Sequence, residues 1–454
     1  MFMLEMSRNI KILIILLLLI GCTMKIRPSC CAGTWYNENK EELKKEIDNY
    51  LKNAKDEGLN IKAIIVPHAG YAYSGQVAAH GLKQIKDAKR VIVLGTPHTY
   101  PLDGVSMLDV DYYETPLGKV KLCNVKRDES IQNIPEAHRE EHSIELELPF
   151  LQETLKDFCI VPIIVGRTDP IEFKEYLEDI YNEDTAIVVS VDLSHFHNYT
   201  TAKRLDNNTI NSILNLESER IEDDEVDSPY AVMSVIELAK TKGWKTKLLE
   251  YKNSGDITGD KTSVVGYSAI AFYEEAYTEE EKQFMLDLAE QSVEQYLKNG
   301  TKPKLKLIPE KLKQERACFV TLTIKGQLRG CIGNLNPVGP LYQGIIDNAI
   351  SAAINDNRFE QVTEDELKSI DYEISVLTEP KKISYKDEKD LFNQIKNKGV
   401  ILKKGAYSST YLPQVWEQVS DEMEFLTSLS MKVGLEQDAW KNMDIYIYDA
   451  IIIE

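Results

Sequence analysis

The feature that most constrains the fold of this chain is an alternation of short apolar runs with helical patterns over its first 275 residues. The runs are rich in isoleucine and valine, which is typical of parallel strands buried on both faces. The predicted strands are residues 63–66, 90–94, 159–165 and 186–191, and the predicted helices include residues 41–55, 76–85, 143–155 and 170–181. This alternation predicts an α/β domain with helices on both sides of its sheet.

The length of the chain indicates a second domain. A chain of 454 residues exceeds what one hydrophobic core usually supports. Thr278 and Glu281 form a capping-box pattern that opens a helix reaching about residue 297. We therefore predict one domain over residues 28–275 and another over residues 278–454, with strands in the second at residues 317–324, 372–377 and 445–453. The formal net charge of −20 argues against a general nucleic-acid binder, which needs a basic face.

The N-terminus has the pattern of an export signal. Arg8 and Lys11 precede an apolar run over residues 12–20, which Gly21 and Cys22 close. Residues 19–22 resemble a bacterial lipobox, so residues 1–22 are predicted to be a lipoprotein signal peptide and Cys22 the lipidated residue. The protein would then be exported and anchored to the membrane. An uncleaved anchor, or a mis-assigned start that leaves the protein cytoplasmic, is the alternative.

Six further cysteines follow Cys22, and their spacing contains no CxxC pair. We expect most of them to be buried thiols. Cys30 and Cys31 are adjacent, which is too close for an ordinary disulfide between them.

All seven histidines lie between His68 and His197. His68 follows the first predicted strand, His98 follows the second, and Asp192 and His195 follow the fourth. Ligands of open α/β sheets collect beyond the carboxyl ends of the strands. The sequence therefore predicts one site that several loops assemble, although each histidine alone could equally have a structural role.

Two neutral imidazoles and a carboxylate, with positions left open, suit a divalent metal ion. Iron is the first expectation, and copper or zinc are alternatives. Imidazole side chains suit proton transfer near neutral pH, so His195 is a candidate general acid or base. Asp192 and His195 would both face the site if residues 190–195 formed a helix.

Several stretches resemble the Memo-like family in order along the chain: residues 31–36, 67–75, 141–145, 190–196 and 253–267. The resemblance covers about residues 28–275 and implies a fold akin to class III extradiol dioxygenases, with a metal centre in the corresponding cleft. His68 and His98 match the two histidine ligands. Asp192 and His195 match residues that line the pocket, and His142 matches a histidine of the pocket wall, so His195 and His142 are the candidate catalytic residues.

The chain departs from the family at the third ligand. Animal Memo-like proteins use a cysteine in the segment matching residues 251–266, but no cysteine lies between Cys159 and Cys318 here. Asp256 is the nearest available donor in that segment and Asp192 is also a candidate ligand, so we expect a centre with two histidines and one carboxylate. A role of Asp256 in stabilising a turn is the alternative.

The second domain contains the motif of residues 328–333, in which Arg329 stands near Cys331. The arginine could lower the pKa of the thiol and make it nucleophilic; a buried cysteine in a tight turn is the alternative. With residues 355–359, 375–377, 399–402 and 409–416, this motif resembles the AMMECR-type domain over residues 278–454. The resemblance implies two α+β subdomains with a cleft between them, and association with a radical S-adenosylmethionine protein in the AmmeMemoRadiSam system.

The leading functional hypothesis is a metal-dependent oxidoreductase or dioxygenase-like protein that acts on an unidentified small-molecule or peptide substrate. The alternatives are a non-catalytic binding or scaffolding protein that uses the same cleft, and a metal-dependent hydrolase, which needs only a bound water and a base.

Overall fold

The computed structural model describes residues 24–405, 407–419 and 421–454. The chain separates into two compact units, which divide between Glu275 and Ala276. The prediction of an α/β N-terminal domain and an α+β C-terminal domain is confirmed.

The strands of the first unit are β1 (Ile26–Arg27), β2 (Ile61–Val66), β3 (Arg90–Gly95), β4 (Val105–Met107), β5 (Tyr112–Thr115), β6 (Gly118–Lys121), β7 (Ile131–Gln132), β8 (Cys159–Val165), β9 (Thr185–Ser190), β10 (His195–His197), β11 (Lys245–Asn253) and β12 (Val264–Tyr273). Its helices are α1 (Lys40–Asn53), α2 (Tyr71–Leu82), α3 (Pro135–Arg139), α4 (Leu148–Thr154), α5 (Pro170–Ile180), α6 (Tyr199–Leu214), α7 (Ser218–Ile221), α8 (Pro229–Lys242) and α9 (Ser254–Thr258), with a 3-10 turn at Glu145–Glu147.

Four parallel strands form the centre of a nine-stranded sheet. They lie in the order β2, β9, β3 and β8, while β12 flanks β2 and β4 flanks β8, both antiparallel. These four are the strands that the isoleucine and valine runs predict. Because β2, β9 and β3 are neighbours and parallel, the loops after them emerge side by side at one edge of the sheet.

Two hydrophobic cores cover the two faces of this sheet. Alternate residues of one strand point to opposite faces, so Ile65 belongs to one core and Ile64 to the other. Helices α5 and α8 cover the first face, where Leu177 and Val235 are fully buried. Each fully buried aliphatic side chain stabilises the fold by about 1.5–3 kcal/mol. The sheet is therefore a rigid support for the loops at its edge.

Two predicted elements of the first unit differ from the structure. The predicted helix over residues 143–155 is a 3-10 turn followed by α4, which begins with a proline in its first turn. Residues 190–195 do not form a helix, because the chain continues into β10, which pairs with β12. This pairing joins distant segments, so local sequence does not reveal it.

The cysteines also differ from expectation. Cys123 and Cys159 form a disulfide that joins the chain after β6 to β8. Of the free thiols among the described residues, Cys31 and Cys318 are buried, Cys30 is exposed and Cys331 is half-buried. The prediction that most of the six are buried thiols is therefore wrong.

The second unit contains two four-stranded antiparallel sheets. Its helices are α10 (Glu279–Asn299), α11 (Leu341–Ile354), α12 (Glu388–Ile395) and α13 (Glu422–Met431), and its strands are β13 (Cys318–Ile324), β14 (Gln327–Gly333), β15 (Ile370–Leu377), β16 (Lys381–Lys382), β17 (Gly399–Lys404), β18 (Tyr407–Tyr411), β19 (Asp444–Tyr448) and β20 (Ala450–Ile453). The sheet orders are β14, β13, β15, β20 and β16, β19, β17, β18. A cavity of about 740 Å³ is lined by residues of both sheets, among them Leu377 and Ile401.

The strand predicted over residues 445–453 is two strands. β19 pairs with β16 and β17 in one sheet, whereas β20 pairs with β15 in the other. The chain changes sheets at Asp449, between the two strands. By contrast, the capping box at Thr278 and Glu281 opens α10 as predicted.

Candidate metal centre

The edge of the sheet where β2, β9 and β3 end carries three of the predicted site residues. His68 follows β2, Asp192 follows β9 and His98 follows β3. The backbone N–H of His68 donates to Asp192 Oδ1 at 3.0 Å, which joins the first two loops. The imidazole centroids of His68 and His98 are 5.0 Å apart. The fold thus brings these loops to one place.

Both imidazoles are oriented through their Nδ1 atoms. His68 Nδ1 lies 3.0 Å from Ser190 Oγ, at the end of β9. His98 Nδ1 lies 2.9 Å from Glu141 Oε1, and the backbone N–H of His98 donates to Glu141 Oε2 at 2.7 Å. Hydrogen bonds of this kind fix the ring and its tautomer in metal-binding histidines. They leave the Nε2 atom of each ring free to face the centre of the site.

The two Nε2 atoms converge on Asp227, a residue that no motif in the sequence predicts as part of the site. Asp227 Oδ2 lies 2.9 Å from His68 Nε2 and 3.5 Å from His98 Nε2. Thr96 Oγ1 donates to the other carboxylate oxygen at 3.2 Å. Asp227 ends an acidic stretch, residues 222–227, with five carboxylates in six positions. Nothing in their spacing distinguishes the one that faces the histidines, so only the path of the loop before α8 identifies it.

His142 completes the cluster. Its ring centroid is 4.3 Å from that of His98 and 5.2 Å from that of His68. One nitrogen from each of the three rings can be chosen so that all lie within 4.8 Å of one another, and the three histidines could therefore hold a metal ion. On its outer side, His142 stacks on Trp35 with centroids 4.2 Å apart. His142, a candidate catalytic residue by sequence, is thus also a candidate ligand.

The charges of this cluster are strongly coupled. Burial alone would lower the pKa of His68, but the Asp227 and Asp192 carboxylates raise it to about 10. Burial likewise opposes the charge of His98, yet hydrogen bonds to Asp227 and Glu141 raise its pKa to about 9. In the absence of a metal, His68 and His98 therefore each carry an extra proton and a positive charge at neutral pH.

Two neighbouring groups stay uncharged at neutral pH. Burial and the positive charge of His68 lower the pKa of His142 to about 3. Glu147 is fully buried behind Ser190, and this burial raises the pKa of its carboxyl to about 8. His142 therefore keeps one ring nitrogen unprotonated, whereas the Glu147 carboxyl holds a proton.

Asp192 and His195 lie next to the cluster in supporting positions. Asp192 is 4% exposed, and burial raises the pKa of its carboxyl even though the nearby imidazoles of His68 and His195 oppose this change. His195 is half-buried at the start of β10. Asp192 thus supports the His68 loop, and the imidazole of His195 is close enough to influence the charge of the Asp192 carboxyl.

Asp256 lies in a helix cap. Its Oδ2 accepts the backbone N–H of Asn253 at 3.0 Å, which completes a capping box at the start of α9. Its Oδ1 accepts from the Tyr199 hydroxyl at 2.7 Å. Both oxygens therefore have local partners, and the carboxylate that faces the two histidine Nε2 atoms is that of Asp227.

The predicted pair in the second unit does not form an activated thiol. Arg329 Nε donates to Glu366 Oε1 at 2.8 Å. Cys331 lies on β14, and burial raises the pKa of its thiol despite a hydrogen bond from Thr321. A raised pKa disfavours the thiolate, so the geometry favours the structural alternative for Cys331.

Comparison with known protein families gives two matches. The family model described as "Memo-like protein" matches residues 27–271, and the model described as "AMMECR1" matches residues 286–453. Together they account for both units of the structure.

Individual relatives cover the N-terminal half. A "MEMO1 family protein" of Aquifex aeolicus is 35% identical over 266 residues, which is 55% of this chain and 100% of the relative. A "MEMO1 family protein" of Methanosarcina mazei is 33% identical over 265 residues, 54% of this chain and 99% of the relative. A crystal structure of the uncharacterized protein PH0010 from Pyrococcus horikoshii matches with 35% identity and a TM-score of 0.37, covering 39% of this chain and 93% of that one.

The membrane-related prediction needs correction. Residues 1–22 and Cys22 lie outside the described residues. In the described part of the chain, no helix combines the length and apolar character needed to cross a membrane. The matches above concern the Memo-like and AMMECR1 regions and supply no lipoprotein, signal-peptide or membrane feature. We therefore withdraw these attributes.

Proposed function

The chain belongs to the Memo-like family, and from that premise we propose that its N-terminal domain is a metal-dependent oxidoreductase whose ion is held by His68, His98 and Asp227. One observation carries the proposal: two oriented imidazole Nε2 atoms face the same carboxylate oxygen, at 2.9 and 3.5 Å. In the metal-free protein, protons lie between the two imidazole nitrogens and the Asp227 carboxylate. A divalent cation would replace these protons and bind the same nitrogen and oxygen atoms.

The donor set fits iron first. Two imidazoles and one carboxylate with open positions are typical of non-haem iron centres, although zinc and copper also bind imidazole. Both histidines have the second hydrogen bond that metal-binding imidazoles usually make, to Ser190 and to Glu141. The carboxylate is a hard oxygen donor, which favours iron over a copper(I) site built on thiolates.

The surrounding residues suit a reaction that moves protons. When bound, iron of this type supplies redox chemistry toward dioxygen or an organic substrate. Glu141 and Ser190 keep the two imidazoles in position. His142 is uncharged at neutral pH, so one of its ring nitrogens can accept a hydrogen bond from a substrate beside Trp35, which is 39% exposed. His195 is a candidate for proton transfer, through its proximity to Asp192.

Metal content of purified variants tests the ligand set. We expect stoichiometric metal in the wild type and its loss in His68→Ala and Asp227→Ala. His197→Ala is the matched control, because His197 bonds to Glu225 outside the cluster. Unchanged metal in both ligand variants, with normal folding, would exclude this centre.

Oxygen consumption tests the reaction class. The iron-loaded protein is expected to consume oxygen with at least one of the candidate catechols, ascorbate or thiols, and His142→Gln should slow turnover more than it lowers iron content. Metal binding without turnover for any of these substrates would favour the binding or scaffolding alternative. Co-purification with a radical S-adenosylmethionine protein would support that partner, which stays a prediction.

Metal-dependent hydrolysis is a second candidate, because three histidines also converge. A three-histidine set with a bound water is a catalytic zinc arrangement. If His142 rather than Asp227 is the third ligand, Asp227→Asn should keep zinc while His142→Gln loses it. The opposite result would support the two-histidine, one-carboxylate centre.

A further inference from the structure

Two adjacent thiols occupy the loop that follows β1. Cys30 is exposed, whereas Cys31 is 1% exposed. Their Sγ atoms are 3.3 Å apart. The pair is separate from the histidine cluster and has no part in the function proposed above.

A buried carboxylate fixes this loop. The backbone N–H groups of Cys30 and Cys31 donate to the two oxygens of Glu145, at 2.9 and 3.0 Å. Glu145 also accepts from the hydroxyls of Ser29 and Tyr36, both at 2.6 Å, and forms a buried ion pair with Arg27. With five donors, this carboxylate has little capacity left for a metal ion. The reactive groups of the loop are therefore the two sulfurs.

The two thiols have different electrostatic surroundings. Arg27 Nη2 donates to Cys30 Sγ at 3.2 Å. A hydrogen bond with Cys31, together with the charge of Arg27, lowers the pKa of Cys30 even though burial opposes the change. The same hydrogen bond, burial and the Glu145 charge raise the pKa of Cys31. Cys30, the exposed residue of the pair, is thus the better nucleophile, and the buried Cys31 sulfur lies next to it with its proton retained.

We propose that Cys30 and Cys31 form a thiol–disulfide exchange site for small-molecule disulfides. The Cys30 thiolate attacks one sulfur of the disulfide RSSR, which forms a Cys30–SR bond and releases one RS⁻. Cys31 then loses its proton and attacks Cys30 Sγ, which forms the Cys30–Cys31 bond and expels the second RS⁻. The two protein thiols are oxidised by two electrons, and RSSR is reduced to two RSH after proton uptake.

Adjacency in sequence makes the product easy to reduce. Consecutive Cα atoms across a trans peptide are about 3.8 Å apart, below the range of about 4.4–6.8 Å usual for disulfides. The ring that closes between neighbours is therefore strained, and strained disulfides are labile. Cys123 and Cys159, with Cα atoms 5.1 Å apart, fall in the usual range. Two molecules of a thiol RSH should accordingly reduce the Cys30–Cys31 bond back to two thiols, with release of RSSR, while the Cys123–Cys159 bond persists.

The test is the reaction of the purified full-length protein with dipyridyl disulfide, which releases a coloured thiopyridone. In the wild type we expect a fast phase that releases two thiopyridones per chain. Tryptic peptide 26–40 should then lack two hydrogens and carry no adduct. Cys31→Ser should release one thiopyridone in that phase and keep a pyridyl group on Cys30, and Cys30→Ser should be slowed at least about tenfold.

Cys331→Ser is the matched control, since Cys331 is the other accessible thiol of the described chain; it should leave the fast phase intact. A wild-type protein that retains the adduct on Cys30 would overturn the proposal, as would a fast phase that survives in Cys30→Ser. Repeating the reaction with a metal chelator should change nothing. The outcome is therefore independent of whether the histidine cluster binds metal.

Discussion

A metal ion that enters the histidine cluster must displace protons, and this gives the metal affinity a steep dependence on pH. The pKa of His68 is raised to about 10 and that of His98 to about 9. The pKa of Asp227 is lowered, mainly by the two imidazoles in opposition to burial. His142 is already neutral. Binding to His68, His98 and Asp227 should therefore release two protons between pH 6 and pH 8.

The size of the effect follows from these two protons. Each proton released changes the apparent affinity by about tenfold per pH unit, so two give about 100-fold. The pKa of His68 lies about 3 above pH 7, and that of His98 lies about 2 above it. Removing both protons at pH 7 therefore costs about 7 kcal/mol. The affinity for the metal should rise with pH until the pH is high enough for the imidazoles to lose their protons without a metal ion.

The assay is a competition titration of metal-free protein with zinc and a chelator of known affinity, at several pH values between 6 and 8. Proton release is measured in parallel with an indicator dye in weak buffer. Asp227→Asn is the informative variant, because loss of its charge should return both imidazole pKa values toward 6.5. Its affinity should be weaker, but nearly independent of pH above 7.

A wild-type metal affinity, corrected for the chelator, that changes less than about tenfold per pH unit would contradict this prediction, since fewer than one proton would then leave. An Asp227→Asn protein that keeps the full slope would also contradict it, because the carboxylate could not then be the cause of the raised pKa values.

Three further predictions concern residues around the centre. Asp256→Ala should leave metal content unchanged and lower the free energy of unfolding by about 1 kcal/mol, through loss of the helix cap, as measured by denaturant titration. Gly95→Ala should destabilise the domain by about 1–3 kcal/mol and weaken metal binding. The reason is that the added Cβ would lie 2.6 Å from Ser143 Oγ and Ile144 Cγ1. A crystal structure and a zinc titration would check this. Burial lowers the pKa of His138 to about 4, so as the pH falls from 6.5 to 4 the unfolded chain takes up a proton that the folded protein excludes. This should reduce stability by at most about 3 kcal/mol, and His138→Gln should show a flatter pH profile in thermal denaturation.

The sequence predicts the parts of the site that depend on local pattern. His68 and His98 directly follow isoleucine- and valine-rich strands, so the strand prediction also places these side chains at one sheet edge. The position of Asp227 depends on the path of a loop packed against that edge, which no local pattern encodes. Asp256 is a plausible donor by composition, but one of its oxygens completes the cap of α9 and the other accepts from the Tyr199 hydroxyl.

The same distinction holds for the fold. The four central strands are predicted because each is a continuous buried run. The pairing of β10 with β12, and the separation of β19 from β20, depend on partners far away in the chain. Residues 445–453 show an almost unbroken apolar pattern, which contains no information about which sheet each half joins.

The loop that carries Asp227 is held at the sheet edge by hydrogen bonds with Thr96 and Asp192 and by the charges of the two imidazoles. Below about pH 6.5 the imidazolium groups contribute their full stabilisation, and this contribution disappears as the pH rises through about 9 and 10, where they become neutral. Asp227 would then be a largely buried anion that keeps its hydrogen bonds but has lost the two positive charges beside it. Alkaline conditions should therefore loosen the segment before α8 in the metal-free protein and open it to proteases, whereas an ion bound to the same three side chains would keep it closed.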